Sequence, residues 1–226
     1  MIRSIYRGGR ESTISQLLAK GAEATLYLED FYGYPSVRKY RRPKPYRLPQ
    51  LDAKLRTDRT IREARSLAAA RQSGVATPVL FQVDLENATI IMEYIAGQRV
   101  KEQVPILKKA KRRRVFKKIG EAVARLHLHE MTHGDLTTSN LLLGPSHLIY
   151  FVDFGLSTVT NNIEDFGTDL HLLRRALLST HHTHWEDCYK AVQEGYSETF
   201  GNRSNEVFRK VEAIESRGRY ITERIR

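Results

Sequence analysis

Cysteine is nearly missing from this chain. Cys188 stands alone among 226 residues, which excludes an intrachain disulfide and leads us to expect an intracellular, cytoplasmic protein. The single thiol is expected to be a small buried apolar side chain rather than a reactive one. No apolar run reaches the roughly 18 residues that a membrane span requires, so no membrane partner is expected. The opening Met1-Ile2-Arg3-Ser4 lacks the apolar region of a secretory leader. Internal repeats and low-complexity stretches are missing too. Acidic residues are in deficit, 26 against 37 lysines and arginines, giving a net charge of +11 and a pI near 9.8. Such an excess attracts polyanions through counterion release. With 41% hydrophobic residues the chain can bury a good core, as one bilobal domain or two small lobes.

What is present is a constellation of carboxylates and one carboxamide. His133-Gly134-Asp135-Leu136-Thr137-Thr138-Ser139-Asn140 is followed, thirteen residues beyond Asn140, by Asp153-Phe154-Gly155. Phosphoryl transfer asks little covalent chemistry of a protein: one residue to orient the attacking hydroxyl or water, and oxygen ligands for magnesium. Asp135 fits the first role as the catalytic residue, and Asn140 and Asp153 fit the second as metal ligands. Upstream, Val115, Phe116, Ile119, Ala122, Val123 and Leu126 recur at helical spacing, predicting a helix that delivers the loop. Downstream, Leu141-Leu142 and Ile149-Tyr150-Phe151-Val152 flank Gly144-Pro145-Ser146, predicting a hairpin that returns Asp153 towards Asn140.

A rival motif overlaps this one. His129-Glu130-Met131-Thr132-His133 spells the zincin pattern, two histidines one helical turn apart with a glutamate between. A zincin helix must run through both histidines, yet Gly134 and Asp135 follow at once.

A lysine and a glutamate precede the loop in the order such a site needs. Val37-Arg38-Lys39-Tyr40 predicts a strand with Lys39 facing inward, although Arg38, Arg41 and Arg42 leave open which cation is used. Arg59 to Arg71 predicts a helix whose apolar face is Ile61, Ala64, Leu67 and Ala68, closed by Gly74 and Pro78. Glu63 is its acidic residue best placed to meet Lys39. Residues 41 to 57, with Pro43, Pro45 and Pro49, are expected to form a flexible link. Val79 to Val83 and Thr89 to Ile95 predict a hairpin leading into an interlobe hinge.

These motifs together resemble a protein kinase-like fold over nearly all of residues 12 to 226. The implied class is α+β: a small N-terminal antiparallel sheet plus helix in residues 1–95, and a reduced, mainly helical C-terminal lobe in 96–226. Within that superfamily the chain is similar to the small atypical kinase of the KEOPS complex. The residues carrying this closer likeness are Lys20-Gly21-Ala22-Glu23-Ala24, Tyr46 to Asp52, Leu55-Arg56, Arg59-Thr60, Glu63-Ala64, His133 to Asn140, and Arg217-Gly218-Arg219. The resemblance implies ATP and Mg2+ as cofactors. It implies that phosphates lie near Lys20, Gly21, Ala22, Glu23, Ala24 and Lys39, with Glu63 supporting the lysine, and that adenine lies against Glu93, Tyr94 and Ile95. It also implies serine/threonine kinase activity in isolation and partner-stimulated ATPase activity within KEOPS. That complex adds the threonylcarbamoyl group to the adenosine next to the anticodon of tRNA. The implied partners are the threonylcarbamoyltransferase subunit, a small accessory subunit and, through the complex, tRNA.

Several departures from ordinary protein kinases have physical consequences. The phosphate loop has one glycine, Gly21, so fewer amides can approach closely. Gly134 replaces the arginine that usually pairs with an activation-loop phosphate, and Thr137 stands where a lysine is expected. Only 73 residues follow Asp153, and no Ala-Pro-Glu occurs among them. The peptide-docking surface is therefore expected to be reduced, which suits attack by water or by accessible partners.

Other features are read more plainly. The basic run Lys108 to Arg114 is expected to be a solvated helix face. In the tail, Arg217, Arg219, Arg224 and Arg226 beside Tyr220 are expected to contact tRNA. His181-His182-Thr183-His184 is expected to be a helix connection rather than a metal site. Asp169, at the start of an amphipathic helix, is expected to brace the catalytic loop. RIO-type and aminoglycoside- or choline-type kinases remain alternatives, as does a non-enzymatic tRNA-binding scaffold.

Overall fold

The computed structural model describes the backbone of residues 15–223, with side chains through residue 217. Five antiparallel strands open the chain: β1 (Gln16–Lys20), β2 (Thr25–Phe31), β3 (Tyr34–Tyr40), β4 (Leu80–Asp84) and β5 (Thr89–Glu93), in the sheet order β1-β2-β3-β5-β4. Central position in that order fixes Lys39, which lies opposite Leu26 on β2 and Ile90 on β5. Between β3 and β4 runs α1 (Pro49–Gln72), packed on the sheet through Ala64, Leu67 and Ala70.

Two expectations about this helix are corrected. It begins at Pro49 and not near Arg59, so residues 49–57 are its first turns and only 41–48 form an irregular link. The reason is that proline, a breaker inside a helix, is pre-organised for its first turn, where its missing N–H is not needed. Ala68 is exposed, and the buried face runs instead through Thr60, Glu63, Ala64, Leu67 and Ala70.

After the hinge come β6 (Gln98–Arg99), the short α2 (Val100–Gln103) and α3 (Lys109–Leu128). All six apolar residues that predicted α3 are buried. Two short strands flank the loop of residues 133–140, β7 (Met131–Thr132) and β8 (Leu141–Leu143). Then follow β9 (Ile149–Phe151) and β10 (Thr158–Val159). The expected hairpin is β8 with β9, and β6 joins its other edge; β10 pairs with β7. The chain ends in α4 (Ile163–Thr180), α5 (Trp185–Phe200) and α6 (Ser204–Glu223). Among the described residues no helix is long and apolar enough to cross a membrane.

The core of the helical part lies where α3 meets α5. A Cβ on Gly120 would sit 2.0 Å from Val192 O, and one on Gly195 equally close to Lys117 O. Backbone therefore meets backbone at this crossing, which only glycine permits. Opposite charges line its rim: Lys109 with Asp187 at 3.1 Å, Arg113 with Glu194 at 2.6 Å and Lys117 with Glu198 at 2.8 Å. The run 108–114 is mostly solvated, as expected, but Arg112 turns inward and donates to Leu107 O at 3.0 Å.

Candidate active site

The loop that carries Asp135 and Asn140 is held from three sides. α3 ends at Leu128, and Glu130 turns the chain with φ 55°. This splits the zincin pair. His129 is exposed and donates from Nδ1 to Arg125 O at 2.9 Å, whereas His133 is buried beyond the helix. In the loop, His133 donates from Nε2 to Val152 O at 3.2 Å, and its Nδ1 accepts the amide of Asp135 at 3.3 Å. Acceptance at Nδ1 requires the neutral ring, with its proton on Nε2. Burial is the main reason its pKa lies below the ordinary 6.5, even though Asp169 pulls the other way.

Asp169 binds the loop backbone as expected, taking the amide of His133 at 2.6 Å and that of Gly134 at 2.8 Å. Its position is corrected, however: α4 begins at Ile163, so Asp169 lies in the second turn and not at the helix start. The first-turn carboxylates are Glu164 and Asp165, the latter accepting from Thr160 Oγ1 at 2.7 Å. Burial would raise the Asp169 pKa, but the histidines and the loop amides outweigh it and hold the carboxyl below the ordinary 3.8.

Asn140 donates from Nδ2 to the carbonyl of Asp135 at 2.8 Å and to its Oδ2 at 2.9 Å. The amide nitrogen is thus committed to the loop and the amide oxygen turned away from it. The β8–β9 hairpin then returns the chain, with Val152 N donating to Asn140 O at 3.0 Å. Asp153 follows in the left-handed region, φ 65°, a conformation a non-glycine residue holds at a cost of about 1 kcal/mol. Its Oδ1 receives Lys39 Nζ at 2.9 Å.

Lys39 bridges the two halves of the site, since its ammonium also donates to Glu63 Oε1 at 2.6 Å. Glu63 is fully buried, and Arg41 occupies its other oxygen, Oε2. Burial alone would lower the lysine's pKa. The charges of Glu63 and Asp153, with the bonds to them, outweigh that and raise it above the ordinary 10.5. For Asp153 the balance likewise ends in favour of charge: desolvation pushes its pKa up, and Lys39 brings it below 3.8.

The turn expected to cover phosphates, Gly21 to Ala24, closes through Gly21 N to Ala24 O at 2.9 Å. Cations from the next segment hold it: Arg42 donates to Gly21 O at 3.4 Å, Lys44 to Ala22 O, and Arg59 pairs with Glu23. Lys20 closes β1 beside it and is exposed. At the hinge, Glu93 N donates to Val79 O at 2.8 Å, Tyr94 N to Pro35 O at 3.0 Å and Gly97 N to Ile95 O at 2.8 Å.

A protein kinase domain model matches residues 46–180. A Pyrococcus abyssi protein named KEOPS complex subunit Bud32 is 44% identical over 212 residues, covering 91% of this chain and 96% of that one. This chain belongs to the Bud32 family.

A Dictyostelium discoideum relative, EKC/KEOPS complex subunit bud32, is 37% identical over 92% of this chain and 84% of its own length. In Methanobrevibacter smithii a probable bifunctional tRNA threonylcarbamoyladenosine biosynthesis protein is 40% identical, and the chain spans 36% of that longer protein. Among solved structures, the Rio2 kinase-ADP/Mg2+-phosphoaspartate complex from Chaetomium thermophilum superposes with a TM-score of 0.61 at 16% identity, covering 91% of this chain and 71% of that one. The likeness is one of fold, and it confirms the α+β kinase-like architecture.

For a Bud32-family chain, the replacement of the usual arginine by Gly134 has a local cause. Gly134 has φ +81°, and a Cβ there would lie 2.1 Å from Leu156 O. No side chain fits.

The structure brings Asp135, Asn140, Asp153, Lys39 and Glu63 together. In the tail, Arg217 pairs with Glu164 of α4 at 2.7 Å, while the side chains of Arg219 and Tyr220, and all of Arg224 and Arg226, lie outside the described residues. His181 caps the end of α4 and meets Thr138 Oγ1 at 3.2 Å, within the expected helix connection. Two contributors escaped the sequence reading. Arg41 was one of several cations near Lys39; its place two residues further along the same strand direction was the available sign. His127 had none, being one more residue of an amphipathic helix. It accepts from Tyr196 at Nδ1, 2.8 Å, and faces Asp169 from Nε2 at 3.4 Å, which links α5 and α3 to the loop brace.

Proposed function

We propose that this chain is an ATP-dependent phosphoryl-transfer subunit of a KEOPS-type complex, acting as a partner-stimulated ATPase and atypical serine/threonine kinase that supports threonylcarbamoyl modification of tRNA. The observation carrying this reading is the convergence of Lys39, Glu63 and Asp153 on the loop that holds Asp135 and Asn140. Residues 1–95 form the nucleotide-covering lobe and 96–226 the reduced second lobe.

The donor set fits a hard divalent cation, since it offers oxygen atoms alone. Asn140 turns its amide oxygen away from Asp135, and Asp153 keeps Oδ2 clear of Lys39 on a half-exposed side chain. These two would hold the magnesium ion, whose chemistry is to neutralise charge on the phosphate oxygens. Lys39 binds the inner phosphates while Glu63 keeps it in place. Lys20, Gly21, Ala22, Glu23 and Ala24 cover the phosphates. Adenine would lie against backbone groups of Glu93, Tyr94 and Ile95. Asp135 orients the attacking water or hydroxyl for in-line displacement and accepts its proton.

Transfer to a protein hydroxyl has its own support. A cleft of about 340 Å³ lies beside the loop, lined in part by Thr137, Ser139, Leu172 and Arg175, with room for residues flanking an acceptor. The threonylcarbamoyltransferase subunit, a small accessory subunit and tRNA are the proposed partners, with Arg217, Arg219, Tyr220, Arg224 and Arg226 as tRNA contacts, in the cytoplasm. The names of the relatives support membership of such a complex.

The test is ATP hydrolysis by the wild type and Asp135→Ala, each alone and with the cognate transferase subunit and tRNA. Stimulation that vanishes in the variant supports the partner-gated ATPase. No stimulation, with steady phosphorylation of another protein, would favour an independent kinase. Equal turnover by the variant would remove Asp135 from the mechanism.

A further inference from the structure

Glu63 is bound by two cations, one on each oxygen, and both cations are themselves buried. Lys39 Nζ lies 2.6 Å from Oε1, and Arg41 Nη2 contacts Oε2, with Lys39 7% and Arg41 5% exposed and Glu63 at 0%. A single lysine is enough to neutralise a single glutamate, so the second cation calls for its own explanation. The lysine is shared: it also donates to Asp153 at 2.9 Å, and nucleotide phosphates would claim it as well.

Arg41 is anchored independently of Lys39. Its amide donates to Ala88 O at 3.1 Å, carrying the β3–β5 pairing one residue further, and its carbonyl accepts from Arg56 Nη1 at 3.4 Å. It also reaches the Asp-Phe-Gly turn. A Cβ built on Gly155 would lie 3.3 Å from Asp153 Oδ1 and 3.8 Å from Arg41 Nη2. The guanidinium thus sits where α1, β3 and the metal-ligand turn meet.

We propose that Arg41 is a positioning residue that holds Glu63, and through it α1, so that Lys39 is free to turn to the phosphates of the bound nucleotide. This rests on the nucleotide-binding reading above. Lys39 has three N–H donors, two of them given to Glu63 and Asp153, so without Arg41 any move of the ammonium towards several phosphate oxygens draws on a buried carboxylate with no other cation, and stranding such a group is costly. With Arg41 in place, Glu63 stays compensated and α1 stays docked whether or not nucleotide is bound. The helix is therefore held in its working position by the chain itself. That suits a kinase-like protein in which Gly134 has removed the usual link to a phosphorylated loop.

The experiment is a double-mutant cycle on binding rather than on turnover. Affinity for Mg-ADP is measured by calorimetry for the wild type, Arg41→Met, Lys39→Met and the double variant, with thermal melts alongside. Because the two residues act on one carboxylate, their effects should couple. Arg41→Met is expected to weaken binding about tenfold in the wild-type background, and by less than about threefold once Lys39 is gone. Arg41→Lys should recover most of the loss. Equal loss in both backgrounds, or no loss at all, overturns the positioning role. Should Arg41→Met fail to fold, Arg41→Gln, which still donates to one carboxylate oxygen, goes through the same cycle. A wild type that does not bind Mg-ADP would instead remove the nucleotide reading itself, so the two failures are told apart by the first titration.

Discussion

The amide of Gly134 donates to Asp169 at 2.8 Å across 35 residues of sequence, and the carboxylate's other oxygen takes the neighbouring amide of His133 at 2.6 Å. One buried side chain on α4 therefore sets the backbone immediately before Asp135. Asp169→Asn keeps the shape but turns an N–H group towards an amide donor. A loss of about 3 kcal/mol in folding stability is expected, as for other buried charged acceptors. Urea unfolding checks the stability, and turnover per folded molecule, measured well below the transition, should fall at least about tenfold. Unchanged turnover in the folded variant would reduce Asp169 to a purely structural brace.

Gly134 cannot be converted into the arginine found in ordinary kinases. Its φ of +81° and the 2.1 Å approach of a would-be Cβ to Leu156 O forbid any side chain. Gly134→Arg is expected to cost more than about 3 kcal/mol, through both backbone strain and displacement of the 156 segment. Gly134→Ala should cost nearly as much, because the clash begins at Cβ. Thermal melts of the pair separate this account from one based on arginine's size, under which alanine would be tolerated.

The proposed site was legible in the sequence because its parts are close neighbours or follow strong local signals. Asp135 and Asn140 share one loop, the Gly144-Pro145-Ser146 turn predicts the return to Asp153, and α3 declares itself by six apolar residues at helical spacing. Lys39 and Glu63 followed from strand and helix order. What stayed hidden depends on contacts between distant segments. The two-residue spacing from Lys39 puts Arg41 on the same side but does not show that it shares Glu63, and nothing local shows that Tyr196 reaches His127 or that α4 starts six residues before Asp169. Pro49 misled for a different reason. Proline has opposite meanings at the first turn and in the interior of a helix, and only the packing of α1 on the sheet decides which applies.

The crossing of α3 and α5 yields a prediction that is independent of chemistry. Gly120 and Gly195 each face the other helix's backbone, with would-be Cβ atoms 2.0 Å from Val192 O and Lys117 O. Carbonyl groups in a helix cannot yield as a flexible side chain can, so the helices must separate. Gly120→Ala is expected to destabilise by about 3 kcal/mol or more, despite alanine's better helix propensity. Ser, slightly larger, should do no better. A urea midpoint at or above the wild-type value for Gly120→Ala would contradict the close crossing.

Stability should also depend on pH through His133. The buried ring uses both nitrogens in its neutral form, donating from Nε2 to Val152 O and accepting the Asp135 amide at Nδ1. Protonation would set one donor against another at Nδ1, next to Asp135. Because burial holds the folded pKa below 6.5, the unfolded chain binds more protons than the folded one between 6.5 and that lower value. The sign follows: this contribution is fully present above pH 6.5 and is lost as pH falls through the window below it. Each such histidine gives a slope of up to about 1.4 kcal/mol per pH unit. His171 and His181 also titrate below 6.5, with burial again the main cause, so the total slope is shared. Asp169 and Asp153, held below 3.8, keep their contributions throughout this range and lose them only at lower pH. Urea midpoints at pH 7.5, 6.5, 5.5 and 5.0 should therefore fall steadily below 6.5. In His133→Gln the slope should be smaller by about one histidine's share; an unchanged slope would assign the titration to His171 and His181 instead.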